Sequence, residues 1–228
     1  MNTSYIKLFL LILFGSQFSN VFSQNNFESL GESSFALNYK SSTRYKVNFA
    51  MRYRYFLFKN NDFNFEDRQI DLVHFSTYSI NYNKSISLGI QYRNRNFIDG
   101  GSNELRFTEQ YNYTKQNSAI RFGHRFRIEQ RILDNLTILR SRYRFALDFP
   151  LNGEKLDINE KYLILTLEVL LSVSDKTKPA TSNRVSSILG WVISEKSKIQ
   201  LGLEYRLADI NIQPIHLLFI NTSFIYKL

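Results

Sequence analysis

The sequence predicts an all-β fold: a transmembrane antiparallel up-and-down β-barrel of ten to twelve strands. Three observations carry that expectation. Segments of about 10–14 residues alternate apolar and polar side chains, which suits tilted membrane strands of about 9–11 residues extended beyond the bilayer. Arginine concentrates inside those segments, whereas most lysines fall in the polar breaks, as at Lys40, Lys59, Lys84, Lys115, Lys155, Lys176, Lys178, Lys196 and Lys198. Aromatic residues make up 15% of the 228, against 3 prolines and 9 glycines, and aromatic side chains fit a pleated surface.

Eleven segments show the alternation: 31–40, 43–58, 68–81, 85–96, 103–113, 118–131, 136–149, 160–173, 183–194, 197–207 and 215–228. The first is the odd element. Bacterial single-chain barrels use an even number of strands. Either 31–40 does not span, leaving ten, or a strand is concealed, giving twelve; twelve is the favoured count. The second segment places Tyr45, Val47, Phe49, Met51, Tyr53 and Tyr55 on one face, with Arg52 and Arg54 flanking Tyr53 on the other. In the third, alternation sets Asp71 opposite His74. The fourth carries Ile86, Leu88, Ile90 and Tyr92 outward and then turns to Arg93 and Arg95. The fifth is ELRFTEQ and its flanks, with Glu104 and Arg106 on one parity. The sixth reads FGHRFRIEQR: Ile120, Phe122, Phe126 and Ile128 share one face, and Arg121, Arg125, Arg127 and Arg131 share the other. The seventh repeats the pattern in SRYRFALDF, with Arg140, Arg142 and Arg144 in a row. The eighth presents Leu163, Leu165, Leu167, Val169 and Leu171 on the face opposite Glu168. Asn183 and Arg184 open the ninth. In the tenth, Ile199, Leu201, Leu203 and Tyr205 face away from Glu204 and Arg206. The eleventh, HLLFINTSFIYKL, alternates to its last residue, with Leu218, Ile220, Phe224, Tyr226 and Leu228 on one face. Outer-membrane barrels commonly end in such a strand, which the insertion machinery reads; their usual terminal residue is Phe, where this chain has Leu228.

The charged row selects between two kinds of alternating sheet. A soluble antiparallel sheet also puts polar residues outward, where lysine would serve as well as arginine. Arginine mixed with glutamate points instead to an enclosed polar face, because the weakly hydrated, planar guanidinium pairs with carboxylates in confined space. The lumen-lining candidates are therefore Arg52, Arg54, Arg93, Arg95, Glu104, Arg106, Arg121, Arg125, Arg127, Glu129, Arg140, Arg142, Arg144, Glu168, Arg184, Glu204 and Arg206. Glu104, Glu129, Glu168 and Glu204 are expected to pair with Arg106, Arg127, Arg184 and Arg206 or their neighbours. Short turns at 82–84 and 194–196 are expected on the periplasmic side. The breaks at 58–67, 97–102, 174–182 and 208–214 are expected as solvated extracellular loops.

Residues 1–23 have the pattern of a cleaved secretory signal peptide: Lys7, a short apolar run from Leu8 to Phe14, and Val21-Phe22-Ser23 before Gln24. The run is too short to span a bilayer. One domain, 24–228, is expected to follow, exported to the bacterial outer membrane. The net charge of +9 would otherwise suggest a nucleic-acid partner; export and the placement of the arginines argue against one. The expected partners are outer-membrane lipids and the barrel insertion machinery. The absence of cysteine excludes disulfides, thiolate metal sites and a lipoprotein anchor.

With the arginine-rich strands in view, the chain resembles the outer-membrane barrel family called domain of unknown function 2490. The resemblance is carried by ELRFTEQ (104–110), HRFRIEQR (124–131), RSRYRFALDFPLNG (140–153), YLILTLEVLL (162–171) and Asn183-Arg184, in the family's order. It implies an outer-membrane barrel and no activity, since the family has no settled one. A short 131–137 connection departs from the pattern.

Catalysis would require a nucleophile and base in reach of one another. The three histidines, His74, His124 and His216, lie on three separate segments. His124 shares parity with Phe122 and Phe126, and His216 has no obvious serine partner. No metal-ligand spacing, glycine-rich phosphate loop or GxSxG elbow occurs. No catalytic residue, metal or cofactor is expected. The functions in view are a narrow, anion-preferring passage or a structural scaffold. The alternatives are a membrane-embedded barrel enzyme acting on lipid or peptide, and a soluble periplasmic β-sandwich or binding protein.

Overall fold

The structure is a computed structural model that describes residues 26–95 and 101–228. The expected signal peptide, and 97–100 of one expected loop, lie outside the described residues. Eleven strands follow in chain order: β1 (Phe27–Lys40), β2 (Tyr45–Lys59), β3 (Asp62–Ser79), β4 (Lys84–Arg95), β5 (Asn103–Asn117), β6 (Ile120–Leu133), β7 (Leu136–Pro150), β8 (Lys161–Val173), β9 (Ala180–Val192), β10 (Ser197–Ala208) and β11 (Ile215–Lys227). Each pairs with its chain neighbours, and β1 pairs with β11, giving one closed barrel. Closure leaves no strand edge with unpaired N–H and C=O groups.

The even count expected from sequence is wrong. Segment 31–40 is part of a full strand, and no twelfth is needed. In an up-and-down chain with an odd number of strands, the first and last run the same way, so their pairing must be parallel. Phe27 to Asn38 accordingly lie in parallel register with His216 to Lys227, while every other pairing is antiparallel. The seam is secured on both faces. Outside, the Phe35 ring stacks on Phe224 with centroids 5.8 Å apart. Inside, Ser34 donates to Ser223 at 2.7 Å, and Leu30 and Phe219, register partners, are buried to 0% and 1% exposure.

The break expected as a solvated loop at 58–67 is a strand hairpin. Asn60 and Asn61 have φ of 56° and 64°, the two positive values that a two-residue type I′ turn requires and that asparagine tolerates. β2 and β3 run to either side of this turn, so Phe63 and Phe65 stand exposed near the hairpin tip.

The alternation holds around the barrel. Phe49, Met51, Leu88, Ile90, Phe126, Ile128, Leu167, Val169, Leu201 and Leu203 are all exposed on the outer face. The intervening residues turn inward, where Gln69, Asp71, Gln91, Arg93, Glu104, Arg106, Glu129, Arg131 and Glu168 are buried. The molecule is inverted relative to a soluble protein: apolar outside, ionic inside. Large inner side chains are accommodated by glycines opposite them. A Cβ on Gly89 would fall 2.3 Å from the Phe75 ring, and one on Gly190 would fall 2.1 Å from the Tyr162 ring. Each ring lies across the neighbouring strand's backbone where only hydrogen leaves room.

The strand directions set two ends. The turns at 41–44, 80–83, 118–119, 151–160 and 193–196 share one end with the end of β11, here the C-terminal end. The start of β1, the end of β4, the start of β5 and the connections at 60–61, 134–135, 174–179 and 209–214 share the opposite end.

Candidate functional site

The inward row of each strand brings the sequence-derived arginines and glutamates together, in two different ways. Toward the opposite end they interlock. Glu104, at the start of β5, receives Arg106 Nη2 at 2.6 Å, Arg95 Nη2 at 2.6 Å and a bidentate fork from Arg131 at 2.8 and 2.9 Å, with Arg93 at 3.7 Å. Glu129 on β6 takes Arg142 at 2.8 Å, Arg106 at 3.4 Å and Arg127 at 3.5 Å. Glu168 on β8 takes Arg142 at 2.6 Å and Arg184 at 3.4 Å. Asp71 on β3 is held by a bidentate Arg93 at 2.7 and 2.8 Å and by Gln69. The links Asp71–Arg93–Glu104–Arg106–Glu129–Arg142–Glu168–Arg184 thus cross β3 to β9 without a break. All four glutamates carry the arginine partners expected of them, since Glu204 bonds Arg206.

The rest of the ring is completed by an aromatic. Arg206 on β10 lies 3.6 Å from the centroid of Phe219, and Arg54 on β2 lies 5.3 Å from it. Arg54 also pairs with Glu32 on β1. Phe219 packs with Leu30 and Phe56, and Arg68 lies 5.0 Å over the Phe56 ring. Cation–π contact suits guanidiniums withdrawn from water. Arg127 reaches Phe75 of β3 at 5.3 Å, although three strand steps separate β6 from β3. The side chains of Asp71, Glu104 and Glu129 are at most 1% exposed. A carboxylate lining a water-filled passage would remain accessible, so this sector is filled.

Toward the C-terminal end the lumen opens. A cavity of about 400 Å³ is walled in part by Arg121, Arg125, Arg144 and Asp148. A second, of about 580 Å³, continues toward the mouth past Lys198, Lys227 and the 151–160 loop, where Glu154 and Lys155 line it. Arg121 pairs with Asp148. Arg125 donates to neutral Asn112 at 3.1 Å, and Arg140, nearer the other end, donates to Ser172 at 2.8 Å. Arg52 stands in register with Asp71, whose two oxygens Arg93 occupies.

Sequence reasoning missed several members. Arg131 shares the parity of Arg127 and was legible in the pattern, yet its role as the bidentate partner of Glu104 depends on the register between β5 and β6. Asp71 sits between Gln69 and Val73 on the inner row, a signal weaker than alternating arginine. Glu32 lay in the segment judged odd. Phe219 and Leu30 read as ordinary apolar strand residues; only the closing register brings them together.

The histidines sit on the outer face. His74 contacts Ser76 at 3.1 Å and the Phe49 ring at 4.5 Å, while Asp71 points into the barrel. His124 meets Tyr143 Oη at 2.9 Å, and His216 meets Tyr205 Oη at 2.6 Å. Among the described residues, no three of His, Asp and Glu group as metal ligands.

A family model described as "Protein of unknown function (DUF2490)" matches residues 33–211, ending before β11. No curated protein and no solved structure matches the chain.

Proposed function

The chain belongs to the DUF2490 family, and on that premise we propose that it is an outer-membrane β-barrel whose lumen is closed to free diffusion and ends in a blind, cation-walled vestibule. The observation that carries the closure is the near-complete burial of Asp71, Glu104 and Glu129 among interlocked arginines. Of the two roles considered from sequence, a passage and a scaffold, that burial favours the scaffold with a binding vestibule. An outward apolar face is costly in water and stabilising in lipid, which supports the membrane location. A closed ring of strands satisfies the backbone without solvent. The turns at 80–83 and 193–196, expected from sequence on the periplasmic side, are at the C-terminal end, and the vestibule is placed toward the periplasm with them. Lipid and the insertion machinery are the corresponding partners. The role is non-catalytic: each histidine is on the outer row against a hydroxyl, and Asp71, the acid three residues before His74, is on the other side of the sheet and bound to Arg93.

Two measurements test this. Detergent-extracted outer membrane should give a faster band unboiled than boiled; recovery in the soluble periplasm with no mobility shift would overturn the location. In planar bilayers the same folded sample should give no steady conductance. Sustained, salt-dependent channel events would overturn the closure and restore the anion-preferring passage.

A further inference from the structure

We infer that the floor of the vestibule is a binding site for a phosphate dianion, held between Arg125 and Arg144. The two are register partners on β6 and β7, so their side chains leave adjacent strands on the same inner face. Like charges directly opposite in a sheet repel. Elsewhere in this lumen such pairs are resolved by an acid: Arg127 and Arg142, the next inner pair, share Glu129. Arg125 and Arg144 are not so resolved. On the β5 side, Arg125 finds only Asn112, a neutral acceptor. On the β8 side, the register partner of Arg144 is Glu168, whose Oε1 is shared by Arg142 and Arg184; the carboxylate leans toward those two and forms no ion pair with Arg144. No ion pair joins either residue among those formed by the described residues.

Space accompanies the charge. The next inner pair toward the mouth is Gly123 and Ala146, the smallest residues available, and their size leaves a void beside the guanidiniums. A Cβ on Gly123 would meet the Ala146 Cβ at an ordinary 3.6 Å, so packing does not demand glycine there. Three arginines and one aspartate line this cavity, and Lys198 and Lys227 stand on the approach. Two planar forks on one side of a concave space match the oxygens of a tetrahedral dianion; a single carboxylate would neutralise only one of them. On the facing wall the Ser85 hydroxyl accepts from Asn112, which leaves its own proton to donate. The ligand is inorganic phosphate or the phosphate monoester of a lipid headgroup. The site rests on the vestibule of the proposed function, but it is assayed in detergent, so a failed membrane assignment would leave binding intact.

The experiment uses the full mature chain folded in detergent, checked by its heat-modifiable mobility. Inorganic phosphate is titrated calorimetrically at low salt in one arm, and phosphatidic acid in mixed micelles in the other. Saturable binding in either arm supports the site and identifies the source. R125Q and R144Q should each weaken it by about tenfold or more, the loss of one charge-assisted contact. R125K, which keeps charge but loses the fork, should fall between. Without phosphate, the R125Q/R144Q variant should melt no lower than the parent, because repulsion has been removed. No binding by the folded parent in either arm, or undiminished binding by the double variant, would overturn the proposal. So would a double variant that melts lower, which would make the arginines packing elements.

Discussion

The two halves of the lumen use the same residue types to opposite ends. Toward the start of β1, Glu104, Glu129 and Glu168 each hold two or more guanidiniums, and Asp71, Glu104 and Glu129 are sealed from water. Toward the C-terminus, Arg125 and Arg144 face a cavity without an acid between them, and Asp148 serves only Arg121, whose side chain is 56% exposed. One half is a solid of alternating charge; the other is an open basin. An arginine row is thus neither a pore lining nor a packing device by itself. The number of carboxylates in reach and the access of water decide which it becomes.

The comparison predicts unequal costs for similar substitutions. Glu104→Gln is the most severe, because it leaves Arg93, Arg95, Arg106 and Arg131 without their common acid. Breaking a buried pair from one side costs about 3–5 kcal/mol, and here several pairs share the partner. Urea unfolding of protein folded into lipid vesicles should show that loss. A cost below about 1 kcal/mol, typical of exposed pairs, would mean that water already reaches the closed half.

Gly89→Val ranks next. Its side chain would enter the space of the Phe75 ring, which also supports Arg127. Overpacking of this kind costs about 1–3 kcal/mol. Moving Phe75 should also loosen the contact from β6 to β3, so brief conductance events in planar bilayers are expected from this variant and not from the parent. A stable, silent variant would show that the ring is not part of the closure.

Much of this architecture was legible because strand side chains alternate strictly. A run such as Arg125-Phe126-Arg127-Ile128-Glu129 gives both faces at once, and the preference for arginine over lysine marks the confined one. What the pattern omits is everything set between strands. The parallel seam follows from a count, and the sequence rule for even counts pointed away from it. The partners of Glu104 come from β4, β5 and β6, and a one-residue change of register would assign others. The Asn60-Asn61 turn was written in the sequence but obscured by charged neighbours, which made a tight hairpin look like a solvated loop. The contrast between Arg127 and Arg125 is the clearest case. They are two residues apart, on the same face and of the same type, and the position of Glu129 separates a cation held by a carboxylate from one held only by a neutral amide.

Asp148→Asn should have the smallest effect on stability and the most informative effect on binding. The pair with Arg121 is near the mouth and partly exposed, so its loss should cost at most about 1 kcal/mol. That alone separates it from Glu104→Gln by several-fold. The same carboxylate, however, lines the cavity that holds Arg125 and Arg144, where its negative charge opposes an entering anion. Neutralising it should tighten phosphate binding by a few-fold at low salt, and the gain should fade as ionic strength rises and shortens the Debye length to about 10 Å at 0.1 M. A carboxylate in the closed half is needed for the fold, while one in the basin only tunes what the basin attracts. If Asp148→Asn destabilised the barrel as much as Glu104→Gln, the two halves would be one continuous ionic core and the distinction between them would fail.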